Sequence, residues 1–108
     1  MFTSKIRAAA AASDVPVSFA RTREAALAAV RELNPPLIIL DLNNPRTDPL
    51  GLAATWKADP ETREITLAGY VAHVQTDLIN AARSAGVDEV FARSAFVQKL
   101  PDLLARGR

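Results

Sequence analysis

Cysteine is absent from the 108-residue chain. Disulfides, thiolate metal sites and sulfur nucleophiles are therefore excluded, and an intracellular compartment is the default expectation. The 4 glycines stand apart at 51, 69, 86 and 107, so no glycine-rich loop is available to cradle a phosphate. A single histidine, His73, has no second ligand for a metal and no Ser or Cys partner suited to nucleophilic chemistry, and reads as a surface residue. No apolar stretch approaches the roughly 20 residues that cross a bilayer. The run "AAAAA" at 8–12 follows Lys5 and Arg7 but is too short and too weakly apolar for a signal peptide. Excess charge of one sign is also lacking, because 13 Lys and Arg offset 12 Asp and Glu and the cations are scattered singly. The patches "RTRE" and "ARGR" are too small to bind nucleic acid by neutralising phosphates. Neither nucleic acid nor membrane is indicated as a partner, and the expected location is cytoplasmic.

What the chain does have is apolar content, 49% by residue, in a length that suits one domain spanning 1–108. Folding at this size buries roughly 65% of the surface of the unfolded chain, enough for one ordinary core. Helical and strand-like segments alternate, the pattern of a layered fold around a parallel sheet. Residues 2–13 set Phe2, Ile6 and Ala9/Ala10 at helical spacing. "VPVSFA" (15–20) reads as a short strand, with Pro16 suggesting a sheet edge. Thr22 is positioned to cap "REAALAAVREL", which Asn34 and two prolines end. Residues 37–42, "LIILDL", form an apolar run broken only by Asp41, as expected of a strand covered on both faces.

Asp48 followed by Pro49 starts the next helix, since the carboxylate accepts orphan amide hydrogens and proline costs nothing at the first helical position. On that helix Leu52 and Trp56 face the core. "ITLAGYVA" (65–72) is a strand in which Tyr70 reads as packing, and "TDLINAARSAG" is a helix with Thr76 as cap and Gly86 as stop. "VDEVFA" (87–92) is the last strand. The tail repeats Phe96, Val97, Leu100, Leu103 and Leu104 at helical spacing, but Pro101 predicts a first turn from about Ser94 and a restart. The expected order is a helix, then four repeats of strand and helix.

Around residues 35–52 the chain resembles a bacterial response-regulator receiver domain. In "LDLNNP", Asp41 stands where that family has its phosphate-accepting aspartate and Pro45 where it has a proline, with Asn44 in place of a methionine. "AARSAGVDEVFARSAF" is similar to the segment that carries an Ala-Gly pair into the family's fifth strand. The resemblance implies a CheY-like, flavodoxin-like receiver architecture: a doubly wound parallel α/β sheet with the first strand missing, hence four strands and five helices. It also implies a site of Asp41 with Asn43, Asn44, Pro45, Val71, Ala72, Arg93 and Ser94 around it. Phosphotransfer in that family needs two acids after the first strand for magnesium, a hydroxyl after the fourth and a lysine after the fifth. By alignment Val71 occupies the hydroxyl's place, Arg93 the lysine's and Ser94 that of the following proline, while the acidic pair has no counterpart.

The site is therefore expected to be vestigial, with no catalytic residue, no metal and no cofactor; Asp41 instead caps a loop amide or pairs with Arg93. The expected function is a non-catalytic pseudo-receiver that binds a protein partner in signal transduction, through residues 77–85 and 88–104. One alternative is a working receiver whose Asp41 accepts phosphate from a histidine kinase with magnesium. Another is a structural α/β subunit of a larger complex. The missing strand would leave hydrogen-bonding edges exposed. Three remedies are open: residues upstream of Met1, direct pairing of "VPVSFA" with "LIILDL", or cover by a neighbouring molecule, which favours a homodimer.

Overall fold

A computed structural model describes residues 2–106, with the side chains of Phe2 and Arg106 left out, so Phe2 in the core and the end of "ARGR" lie outside the described residues. The chain begins with α1 (Phe2–Ala12) and, after a long connection, α2 (Arg23–Leu33). Then come β1 (Leu37–Asp41), a 3-10 turn at Pro45–Thr47, α3 (Pro49–Ala58), β2 (Thr66–Val71), α4 (Thr76–Ala85), β3 (Glu89–Ala92) and α5 (Arg93–Arg106). The three strands form one parallel sheet in the order β1-β2-β3.

Local chemistry sets several boundaries where the sequence puts them. Thr22 accepts the Ala25 amide at 3.1 Å, and Asn34 closes α2 in a left-handed conformation. The Asp48 carboxylate accepts the Gly51 amide at the start of α3. Gly86 ends α4 at φ 108°, a conformation that a side chain would strain.

Side chains alternate across β2 and sort the core into two layers. Leu67 and Val71 point to one face, where Val30, Leu52, Trp56 and Ala82 of α2, α3 and α4 cover them. Ala68 and Tyr70 point to the other, against Ile6 and Ala10 of α1 and Phe96, Leu100, Leu103 and Leu104 of α5. Trp56 faces the core as its spacing predicts, being only 4% exposed.

Three expectations are corrected. Residues 15–20 are not a strand, so the sheet has three strands rather than four. The Val15 amide turns back to the Ala10 carbonyl at 2.9 Å and Pro16 has no amide hydrogen. The segment lies across an open cleft from β1 instead of pairing with it, held to α1 by the Arg7 guanidinium 4.8 Å above the Phe19 ring. Second, α5 runs without a break through Pro101. Loss of one helical hydrogen bond there costs about 3 kcal/mol. Full burial of Phe96, Leu100, Leu103 and Leu104, at about 1.5–3 kcal/mol per side chain, outweighs it. Third, Thr76 does not cap α4. The cap position is Gln75, whose side chain makes no capping bond because it is engaged elsewhere.

One polar node ties α3 to the sheet. The Lys57 ammonium donates to the carbonyls of Arg63 and Ile65 at 3.1 and 2.9 Å and to Asp88 Oδ2 at 3.0 Å, using all three of its donors. The same Asp88 oxygen accepts the Leu67 amide at 2.8 Å, at the start of β2. Asp88→Ala is expected to lower stability by about 1.5–3 kcal/mol, the range for a hydrogen bond to a charged group. Urea unfolding would read this, and Asp88→Asn should lose less than Asp88→Ala because its amide oxygen can still accept the Leu67 amide.

Candidate functional site

The strands run parallel, so their carboxyl ends and the loops that follow gather at one end of the sheet, where sites form in open α/β folds. Asp41 ends β1 there, Ala72 follows β2, and Arg93 opens α5 directly after β3. Within the register Asp41 pairs with Tyr70, which places carboxylate and phenol side by side on the α1/α5 face.

The loop after Asp41 is built by short polar side chains. Asp41 Oδ1 accepts the Asn43 amide at 3.0 Å, an Asx turn that reverses the chain as it leaves the strand. The Asn44 amide donates to the Asp41 carbonyl at 3.2 Å, and Asn44 Oδ1 accepts the Arg46 amide at 3.1 Å, starting the 3-10 turn in which Pro45 is the first residue. Asn43 then reaches across: its Oδ1 accepts the Ala72 amide at 2.7 Å, and its Nδ2 donates to Gln75 Oε1 at 2.8 Å. One asparagine thus clamps the loop after β1 to the loop after β2.

Tyr70 is the member that sequence reasoning missed. It is 4% exposed, its ring lies 5.0 Å from that of Phe96, and its hydroxyl hydrogen-bonds to Asp41. Burial pushes the phenol up from its ordinary 10 to about 12; the negative charge of Asp41 and that hydrogen bond push the same way, and the positive charge of Arg93 opposes them. Asp41, Tyr70 and Arg93 are thereby one electrostatic group. The sequence holds one signal for this: Tyr70 carries the hydroxyl in an apolar strand, and a buried phenol needs a hydrogen-bond partner.

The remaining expected site residues fall at the rim or beneath it. Val71 is fully buried among apolar side chains of the α2/α3/α4 face and presents no donor to the site. Ala72, Arg93 and Ser94 are exposed, as is His73. One oxygen of Asp41 is occupied by the Asn43 amide, and among the described residues no group of three or more His, Cys, Asp or Glu side chains comes together. Magnesium is commonly held by one or two carboxylates with several waters completing its octahedron, and the carboxylate that this end of the sheet offers is that of Asp41.

No family model matches the sequence, and no curated protein is significantly similar to it. Solved structures do resemble it. The phosphorylated cyanobacterial phytochrome response regulator RcpA superposes with a TM-score of 0.78 over 93% of this chain and 81% of its own, at 27% identity. The Mn(2+)-bound form of response regulator Rcp1 superposes with a TM-score of 0.78 over 94% of this chain and 82% of its own, at 20% identity.

Proposed function

From a chain that has the fold of a CheY-like receiver domain, we propose a pseudo-receiver: a cytoplasmic protein-interaction module of signal transduction that works without phosphotransfer and is not an enzyme. The observation that carries this reading is what surrounds Asp41. Its carboxylate takes the Asn43 amide at Oδ1 and lies against the Tyr70 hydroxyl, so part of its acceptor capacity serves the protein's own loop. Attack on a phosphoryl group needs that group's charge neutralised by a metal and by positioned donors. Val71 offers none, and Arg93 brings a broad guanidinium where a compact ammonium would be needed.

A module of this kind acts by shape. The surface of α4, β3 and α5, within residues 77–85 and 88–104, is the proposed contact for a protein partner. Exposed charge on it, such as Asp77, Arg83 and Lys99, suits a polar, reversible interface.

Isothermal titration with Mn2+ tests the reading. No saturable binding is expected, and addition of the ion should leave the Trp56 fluorescence unchanged. A saturable site that disappears in Asp41→Asn would overturn it in favour of the phosphate-accepting alternative.

A further inference from the structure

The start of α4 departs from what its sequence prescribes, and the cause lies across the site. In "VQTDLI" (74–79), Thr76 is the residue suited to cap a helix, because threonine is among the favoured caps and glutamine is not. α4 nevertheless begins one residue earlier. The Ile79 amide donates to the Gln75 carbonyl at 2.9 Å, which makes Gln75 the cap and Thr76 the first helical residue. The helix gains no side-chain cap from this arrangement. Gln75 Oε1 instead accepts Asn43 Nδ2 at 2.8 Å, and the exposed Thr76 side chain makes no hydrogen bond among the described residues.

Moving the start by one residue costs the helix little. With Thr76 as cap, its hydroxyl oxygen accepts the amide of Leu78 or Ile79, so the Ile79 hydrogen can exchange one acceptor for another. What holds α4 at Gln75 is Asn43, which accepts the Ala72 amide at 2.7 Å while it donates to Gln75. Asn43 and Ala72 are exposed, so water replaces the partners they give up. Two neutral hydrogen bonds on one side and one threonine cap on the other leave the two starts within about tenfold of each other in population. A gap of that size is within reach of any ligand that prefers one form.

We propose that α4 has two starts and that Asn43 is the latch that selects between them: Gln75 begins the helix while Asn43 holds it, and Thr76 takes over as cap when Asn43 lets go. The released form shortens α4 by one residue and frees the loop 72–75 from the loop after β1. That loop carries Val74, which at 69% is the most exposed large apolar side chain among the described residues. It leads directly into residues 77–85 of the proposed partner surface, so a partner that prefers one form sets the latch. This consequence rests on the pseudo-receiver reading; the two starts themselves do not, because the latch is made of amide groups and needs no change of charge at Asp41.

A double-mutant cycle in the full chain tests the proposal. Thr76→Val removes the hydroxyl and keeps the branched shape at an exposed position. In the native background, where Thr76 lies inside the helix, it should change the unfolding equilibrium constant by less than about twofold. In Gln75→Ala, where Asn43 has lost its hold on the helix, the same change should cost about fivefold, the ordinary worth of a threonine cap. Carbon chemical shifts of Thr76 read the start directly, since a cap residue has extended dihedrals. They should be helical in the native protein and extended in both Gln75→Ala and Asn43→Ala. Gln75→Glu keeps an acceptor for Asn43 and should keep the helical shifts. The proposal is overturned if Thr76→Val costs the same in both backgrounds, if Thr76 stays helical in Gln75→Ala, or if it turns extended in Gln75→Glu. Phosphate acceptance at Asp41 would overturn the pseudo-receiver reading and leave these outcomes unchanged.

Discussion

Tyr70 should titrate with a midpoint near pH 12 in the native protein, about two units above a free phenol. It is the only tyrosine in the chain, so the ultraviolet absorbance of phenolate reports it alone. The causes can be separated by substitution. Asp41→Asn removes a negative charge that holds the proton on, and the midpoint should fall, though burial, the largest cause, keeps it above 10. Arg93→Gln removes the opposing positive charge, and the midpoint should rise. Opposite movements in the two variants, followed while circular dichroism stays native, would verify that the three residues form one group. A midpoint near 10 in the native protein would contradict the geometry. Stability follows the same shift: the neutral phenol's contribution is fully present below the unfolded-state value near 10 and is lost as pH rises through 12.

The largest stability effect is expected at Phe96, which is fully buried, packs 5.0 Å from Tyr70 and 6.2 Å from Phe91, and anchors the α5 layer. Phe96→Ala should cost about 3–5 kcal/mol, from lost transfer energy and an unfilled cavity. A domain of this size has about 5–15 kcal/mol in total, so the variant should be largely unfolded or shifted to a much lower urea midpoint. Phe96→Leu, which better conserves volume, should cost markedly less. The pair also bears on the site, because Phe96 backs the Tyr70 ring. In Phe96→Leu the Tyr70 titration should move down towards 10 as water gains access.

How much of this could be read from the chain depends on the range of the interaction. Caps at Thr22 and Asp48, the stop at Gly86 and the inward face of Trp56 involve residues within a turn or two of each other, and those assignments match the structure. Residues 15–20 have the composition of a strand, but a strand exists only where a neighbour accepts its hydrogen bonds, and that neighbour is what the sheet lacks beside β1. Pro101 carries a local penalty that distant packing of the α5 side chains outweighs. In the site, Asp41 at a strand end was legible from its apolar flank. The Tyr70 contact was not, because it depends on the register between β1 and β2, and neither was the Asn43–Gln75 clamp, whose partners are 32 residues apart.

In the proposed pseudo-receiver the Asp41 carboxylate is engaged by its own loop and by Tyr70 and does not accept a phosphoryl group. Incubation of the purified chain with acetyl phosphate and magnesium, followed by intact-mass spectrometry, addresses it most directly. An unchanged mass is the predicted result. A mass increase of one phosphoryl group that is absent from Asp41→Asn would contradict it.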